Sequence, residues 1–413
     1  MNETARAWGQ RLRDEIELNV LPWWQRHMFA ADDGRVLGGR SNDGTLLNDL
    51  PRSAVLGTRL LWTFASAQVR LGSEPARAEA AQRAWDWVRG PLTDAAHGGV
   101  FWSVDADGQP LADHKQTYAQ AFAIYALTAC HVWQCAEKDQ PKQAMTAPLQ
   151  HALQLFELLE AHAYDPVYGG CFEGCTRDWQ LMPGAKLSDQ EPPAPKSMNT
   201  MLHVLEAYTE LLRVCPKVRI AARLRELVAL FLTRLWLPQQ RCFGLFFSSD
   251  WQNLSPQVSW GHDIEAAWLL TRACEVLNDP SLSDAGLSNR AQALAVEVAD
   301  AVLARGMTAE GRIHGAGLFD GTVTDHRSHW WCQAEAMVGF WNAYRISGAA
   351  RHANAAQRAW QYIERHHIDR VGGDWFKVLD AHGTPLNNIP KAGPWECPYH
   401  HVRACLEMME RLS

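Results

Sequence analysis

The sequence predicts an all-α protein: six helical hairpins packed side by side and closed into a ring, with short β-hairpins in the loops at one end. Three observations predict it. A glycine-centred loop, usually flanked by an aromatic residue, recurs six times, roughly 55 to 75 residues apart. The stretches between these loops carry apolar residues at helical rather than alternating spacing. Each interval has room for two helices, and a helix pair of this kind buries its apolar face only against its neighbours.

The loops run in order through Gly38-Gly39, Gly98-Gly99 with Phe101-Trp102, Gly169-Gly170 with Phe172, Phe243-Gly244 with Phe246, Gly315 to Phe319, and Gly372-Gly373 with Trp375-Phe376. Between them, residues 115–134 place Tyr118, Phe122, Tyr125, Leu127 and Ala129 on a helix, and 151–162 repeat the pattern with Leu153, Phe156 and Leu159. The same reading gives helix pairs at 198–214 with 220–235, 262–277 with 289–304, and 330–346 with 352–367. A run such as Val100 to Asp105, followed by Asp107-Gly108, reads as a β-hairpin capping a helix pair. The pairs can stack as an open solenoid or a closed ring; six of them suit a ring, with the loops at one end building a pocket. The Pro- and Ser-rich stretch from Leu181 to Pro195 reads as an excursion over that pocket rather than a linker, because helical pattern resumes at Lys196. Residues 1–413 are therefore expected to form a single catalytic domain.

Composition excludes several classes of function. With 47% hydrophobic and 21% charged residues the chain has material for a large core and no signature of disorder. A formal charge of −7 leaves no basic surface for a phosphate backbone or an anionic membrane, so no nucleic-acid partner is expected. The segment Met1-Asn2-Glu3-Thr4-Ala5-Arg6 leads into a charged amphipathic stretch without the apolar centre of a signal peptide, and no apolar run reaches membrane-spanning length. Ten cysteines without a Cys-x-x-Cys pair fit reduced thiols. The expectation is a cytoplasmic protein, monomeric or homodimeric.

The chemistry is sought where polar residues break apolar helices. His262 and Glu265 lie three apart, hence on one helix face, and a His beside a carboxylate is held in one tautomer and made more basic. Such a pair on an exposed helix is only a surface interaction; Ala266, Ala267, Trp268 and Leu269 after it point to burial. Asn199, His203 and Glu206 form a second stripe at i, i+4 and i+7, and Trp331 with Glu335 a third. Gly393 to His401 sets two aromatics and two His, His400 and His401, ahead of the last helix. Arg59 is a lone cation in an apolar helix and needs a buried anion or a ligand oxygen. Of nineteen tryptophans, those in polar company, Trp23-Trp24, Trp330-Trp331 and Trp395, offer flat faces for a sugar ring, whereas the rest read as core. Two separated His with an aromatic platform suit proton removal from one face of a carbon and return to the other. Paired carboxylates on the same scaffold suit glycoside hydrolysis instead. His262, Glu265 and His400 are also metal-ligand types, but no His-Glu-x-x-His or paired Glu-x-x-His spacing is present, and neither metal nor cofactor is expected.

Five strings carry a more specific signal. They are Arg59 to Phe64; Lys196-Ser197-Met198-Asn199-Thr200 through His203 to Tyr208; Gly261 to Ala266; Trp330-Trp331 with Gln333 to Ala336; and Gly393-Pro394-Trp395 with Cys397-Pro398-Tyr399-His400. In this order, across nearly the whole chain, they resemble the N-acylglucosamine 2-epimerase superfamily, and most closely its cellobiose 2-epimerase branch. The resemblance implies an (α/α)6 barrel that works without a cofactor, converting glucose to mannose configuration at C2 of the reducing-end residue of a disaccharide such as cellobiose or lactose. By the same resemblance His262 and His400 are the acid/base pair, Glu265 and Glu335 support them, and Arg59 fixes the substrate. Asn199 and His203 hold sugar hydroxyls and the ring-opening end, Trp331 and Trp395 stack on the sugar, and Tyr118 and Phe122 complete the wall. The implied mechanism is ring opening, C2 deprotonation by one His, a cis-enediolate held by Arg59 and the remaining His, rotation about C2–C3, and reprotonation by the other His. Two departures bear on substrate: His314 to Asp325 lacks the acidic run expected in disaccharide-acting relatives, and His401 replaces an Asn. Epimerisation of monosaccharide mannose and aldose–ketose isomerisation are the alternatives within the family. A carbohydrate-binding protein or a glycoside hydrolase on the same scaffold are the alternatives outside it.

Overall fold

Helix follows helix in the computed structural model, which describes residues 3–141, 143–277 and 285–413. Among these the α-helices are α1 (Glu3–Asp14), α2 (Leu21–His27), α3 (Ala54–Leu71), α4 (Pro75–Arg89), α5 (Thr117–Glu137), α6 (Ala147–Leu158), α7 (Met198–Val214), α8 (Val218–Leu230), α9 (Trp260–Leu277), α10 (Ala285–Arg305), α11 (Trp330–Ser347), α12 (Ala350–Tyr362) and α13 (Tyr399–Leu412). Helices α3, α5, α7, α9, α11 and α13 pack each on the next, and α13 returns to α3. The ring is closed, and the fold is an (α/α)6 barrel. An inner helix is hemmed in on all sides, which is why α5 is buried along most of its length and carries apolar residues nearly all round.

Helices α4, α6, α8, α10 and α12 each pack on the outside of the inner helix that precedes them. The sixth outer position is filled differently from a run of six consecutive hairpins. Helix α13 ends the chain, and α1, from the opposite end of the sequence, covers it. Trp8 of α1 is buried there, edge-on to Trp341 of α11 with ring centroids 5.4 Å apart. The apolar core is continuous from Trp8 to Leu412. Helix starts are fixed by side-chain caps: Ser53, Thr146 and Ser197 accept from the backbone N–H groups of Leu56, Leu149 and Thr200.

Ahead of five inner helices a two-residue strand pairs antiparallel with a strand in the loop that leaves the same hairpin. The pairs are Arg52–Ser53 with Ser103–Val104, Lys115–Gln116 with Gly174–Cys175, Lys196–Ser197 with Phe246–Phe247, Gln257–Val258 with Ala316–Leu318, and Ser328–His329 with Val378–Leu379. The sixth repeat keeps only a bridge, Arg40 to Ala392, again between opposite ends of the chain. Local hairpins of the kind expected from sequence are added at two places, where Ser103–Val104 also pairs with Pro110–Ala112 and Ala316–Leu318 with Val323–Asp325.

All these strands lie at the N-terminal ends of the inner helices, so the recurring loops gather at one mouth. Gly99 and Gly170 show why glycine recurs there: φ is +76° and +71°, and a Cβ would stand 2.6 Å and 2.7 Å from the rings of Trp179 and Trp251. Gly39, Gly244 and Gly315 do not share this conformation, so the six loops are related in position rather than in backbone detail. The stretch 181–195 is tied to this end through the Cys175–Leu181 bridge and the Pro195 carbonyl, which accepts from Glu173 N–H. None of the ten cysteines is joined in a disulfide among the described residues. No helix of the described residues is long and apolar enough to cross a membrane.

Candidate active site

The first two turns of every inner helix contribute to one site. Arg59 comes from α3, Tyr118 and Phe122 from α5, Asn199, His203 and Glu206 from α7, His262 and Glu265 from α9, Trp331 and Glu335 from α11, and His400 from α13. Trp395 enters from the loop before α13, its ring 5.8 Å from that of Tyr118. These twelve residues, all singled out in the sequence, thus lie toward the N-terminal end of the ring. Asn199, His262, Trp331 and Trp395 are half-buried and face the mouth, whereas Arg59, His203, Glu206, Glu265, Glu335 and His400 are buried below them.

Trp331 stands against both imidazoles of interest. Its ring centroid is 4.6 Å from His262 and 5.7 Å from His400, so the two imidazole centres are at most about 10 Å apart. Behind His400, Nδ1–H donates to Glu335 Oε1 at 2.8 Å, and Glu335 Oε2 accepts from Trp268 Nε1 at 3.0 Å. Behind His262 the partner is Ser259, whose Oγ lies 2.8 Å from Nδ1. The His262–Glu265 pair expected from the three-residue spacing is not made. Glu265 is instead drawn to the guanidinium of Arg403, and its Oε1 lies 3.9 Å from His400 Nδ1. A full charge on α13 outcompetes an uncharged imidazole on the same helix.

A third imidazole faces them from α7. His203 Nδ1–H donates to Glu206 Oε2 at 2.9 Å, and its ring packs on Phe122 and Tyr118 at 4.6 Å and 5.0 Å. Arg59 lies over the same aromatic wall, 4.2 Å from the Phe122 centroid. It donates to Tyr118 Oη at 2.8 Å and to Cys397 Sγ, with no carboxylate among its hydrogen-bond partners. Arg59 Nε, Asn199 Oδ1 and Glu265 Oε2 are buried without a partner. These three polar atoms, on the N-terminal halves of three inner helices, are left open to a polar partner.

Arg403, which the sequence reading passed over, forms the floor. Its Nη1 donates to Glu206 Oε1 and Tyr399 Oη, and its Nη2 to Glu265 Oε1 and, at 2.7 Å, to Glu335 Oε1. Tyr399 Oη also donates to Glu206. Glu265, Glu335 and His400 bring donor atoms within 4.8 Å of one another, as a divalent-metal site would, and the cation lying against them is this guanidinium. The clue in the sequence was available: Arg403 sits directly among Val402, Ala404 and Cys405, a cation in an apolar run. Ser259 and Tyr399 were also missed, and neither residue type stands out by composition. His401 turns away from the pocket, its Nε2 on Asp374 at 2.9 Å and its ring stacked on Trp375.

Burial sets the protonation states. It depresses His262 to about 3 and His203 to about 4, the latter against the pull of Glu206, and takes His400 well below its ordinary value with help from Arg59 and Arg403. All three imidazoles are therefore neutral at neutral pH and able to take a proton. Burial and the neighbouring Glu335 raise Glu265 to about 8, so it holds a proton, whereas Glu206, despite burial, is brought down to about 2 by Arg403 and His203. Neutral imidazoles in contact with one flat ring, a guanidinium hydrogen-bonded to a phenol and a thiol, and a protonated carboxyl nearby are groups able to move a proton at carbon.

The model of the N-acylglucosamine 2-epimerase (GlcNAc 2-epimerase) family matches residues 39–404. A cellobiose 2-epimerase of Bacteroides fragilis is 36% identical over 401 residues, covering 97% of this chain and 98% of that one. The solved structure of a cellobiose 2-epimerase from Bacillus thermoamylovorans B4167 superposes with a TM-score of 0.89 at 31% identity, over 98% of this chain and 100% of that one. A D-mannose isomerase of Marinomonas mediterranea is 21% identical over 393 residues, 90% of each chain.

Proposed function

The chain belongs to the N-acylglucosamine 2-epimerase family and is an epimerase, an enzyme of the isomerase class; from that premise we propose that residues 1–413 act as one catalytic domain that inverts C2 of the reducing-end glucose of β-1,4-linked disaccharides such as cellobiose and lactose. The observation that carries the reading is Trp331 in ring contact with both His262 and His400.

In this reading the reducing-end sugar stacks on Trp331 and Trp395, and Asn199 receives one of its hydroxyl groups. His203, backed by Glu206, opens the ring by taking the proton from the anomeric hydroxyl and passing it to the ring oxygen O5 as the C1–O5 bond breaks and the C1 carbonyl forms. One of His262 and His400 then removes the C2 proton. The cis-enediolate that forms carries its charge on oxygen, where the Arg59 guanidinium, lacking a carboxylate of its own, meets it in a site shielded from water. After rotation about C2–C3 the other imidazole, having taken a proton from solvent at the pocket mouth, delivers it to the opposite face of C2, and the first imidazole releases the proton it removed to solvent. Preference for a disaccharide over mannose rests on the higher identity to the cellobiose 2-epimerase than to the D-mannose isomerase.

Incubation with cellobiose, lactose, mannose and glucose, each separately and without added metal, followed by product chromatography, tests it. Cellobiose and lactose should give their C2 epimers with the disaccharide intact. Release of free glucose from cellobiose, or conversion of mannose alone, would overturn the assignment.

A further inference from the structure

Two imidazole–carboxylate pairs back onto one cation. Glu206, which accepts from His203 Nδ1–H, and Glu335, which accepts from His400 Nδ1–H, stand on helices α7 and α11 and share no hydrogen bond. The guanidinium of Arg403 spans them, Nη1 on Glu206 and Nη2 on Glu335, and takes Glu265 of α9 as a third carboxylate. The other groups facing it are the Tyr399 hydroxyl, which it also meets, and the Trp268 ring, 4.9 Å from its centre. Arg403 is itself 1% exposed, and besides the direct push of its charge on the two imidazoles it meets them through their carboxylates.

We propose that Arg403 is a positioning residue that fixes the tautomer of both dyads at once, holding Glu206 and Glu335 so that His203 and His400 each keep their proton on Nδ1 and present a bare Nε2 to the sugar. A carboxylate with freedom to turn, or one that takes up a proton for lack of a cation, no longer commands the tautomer of its imidazole. Only a planar fork does this for two carboxylates at once. A lysine ammonium supplies the charge but not the two-armed reach. The chemical role rests on the epimerase reading; the tautomer assignment does not.

Two measurements separate these. In the ligand-free protein, nitrogen-15 NMR of the histidines, assigned with His203→Asn and His400→Asn, should show both rings protonated at Nδ1 in the native protein, and both shifted together in Arg403→Ala. Kinetically, Arg403→Ala should lose about 100-fold or more in kcat with KM changed by no more than about threefold, and guanidinium ions added to the assay should restore at least about tenfold. Arg403→Lys should fall between the two. A folded Ala variant with kcat within threefold of native, or native Nδ1 signals in both rings, would overturn the proposal. If the Ala variant does not fold, a Lys variant with native turnover and native Nδ1 signals overturns it equally. Absence of C2 exchange in the native enzyme would sink the epimerase reading and leave the NMR result standing by itself.

Discussion

The three imidazoles of the pocket differ in what stands behind them. His400 leans on a carboxylate, Glu335, and His262 on a hydroxyl, Ser259. A carboxylate both fixes the tautomer and stabilises the imidazolium that forms when the base has taken its proton, whereas a hydroxyl mainly fixes orientation. Glu335→Gln should therefore reduce kcat for epimerisation by about 100-fold, and Ser259→Ala by about tenfold or less; equal losses from the two would contradict the inequality. At this scale the sequence was readable where partners share a helix and unreadable where they do not. His203 and Glu206, three apart on α7, do pair. His262 and Glu265, also three apart, do not, because the choice of partner for Glu265 was made by Arg403, 138 residues further on. Spacing along a helix says which side chains share a face; it does not say which cation arrives from another helix.

Helices and strands obey a repeat that the sequence displays and a closure that it conceals. The inner helices were legible from apolar periodicity, and the described bounds of α7, α9 and α11 differ from the sequence reading by two residues or fewer. What periodicity does not contain is that the sixth hairpin is assembled from the two ends of the chain, with α1 against α13 and Arg40 bridged to Ala392. Nothing local marks α1 as the partner of a helix almost 400 residues away. Because α13 carries His400 and Arg403, α1 is a clamp on the site as well as a lid on the core. Trp8→Ala, which removes the buried ring on Trp341, should cost about 3 kcal/mol of stability. Chemical denaturation measures it, and a change below about 0.5 kcal/mol would show that α1 does not hold the ring closed.

The whole molecule buries titratable groups of both kinds, and they pull its stability in opposite directions with pH. Burial depresses His203 and His401 to about 4 and His262 and His367 to about 3, so their contribution is present above the ordinary His value near 6.5 and lost as pH falls through those values. Burial raises Glu15 and Glu173 to about 7 and Asp263 and Glu265 to about 8, so theirs is present at acid pH and lost as pH rises through 7 to 8. Between pH 7.5 and 8.5 the histidines are nearly all neutral in both folded and unfolded chains, and the buried acids dominate the change. The thermal midpoint should accordingly be lower at pH 8.5 than at pH 7.5; a midpoint that rises over that interval would contradict these protonation states. The same closed ring that enforces this burial also brings His262 of α9 and His400 of α13 into contact with Trp331. The most direct test of that arrangement is the rate at which C2 of cellobiose takes up deuterium from heavy water, followed by NMR, in the native enzyme and in His262→Ala and His400→Ala. Each variant should remain folded and lose C2 exchange in at least one of the two epimers, with no net epimerisation; near-native exchange and turnover in either variant would mean that the pair does not perform the chemistry.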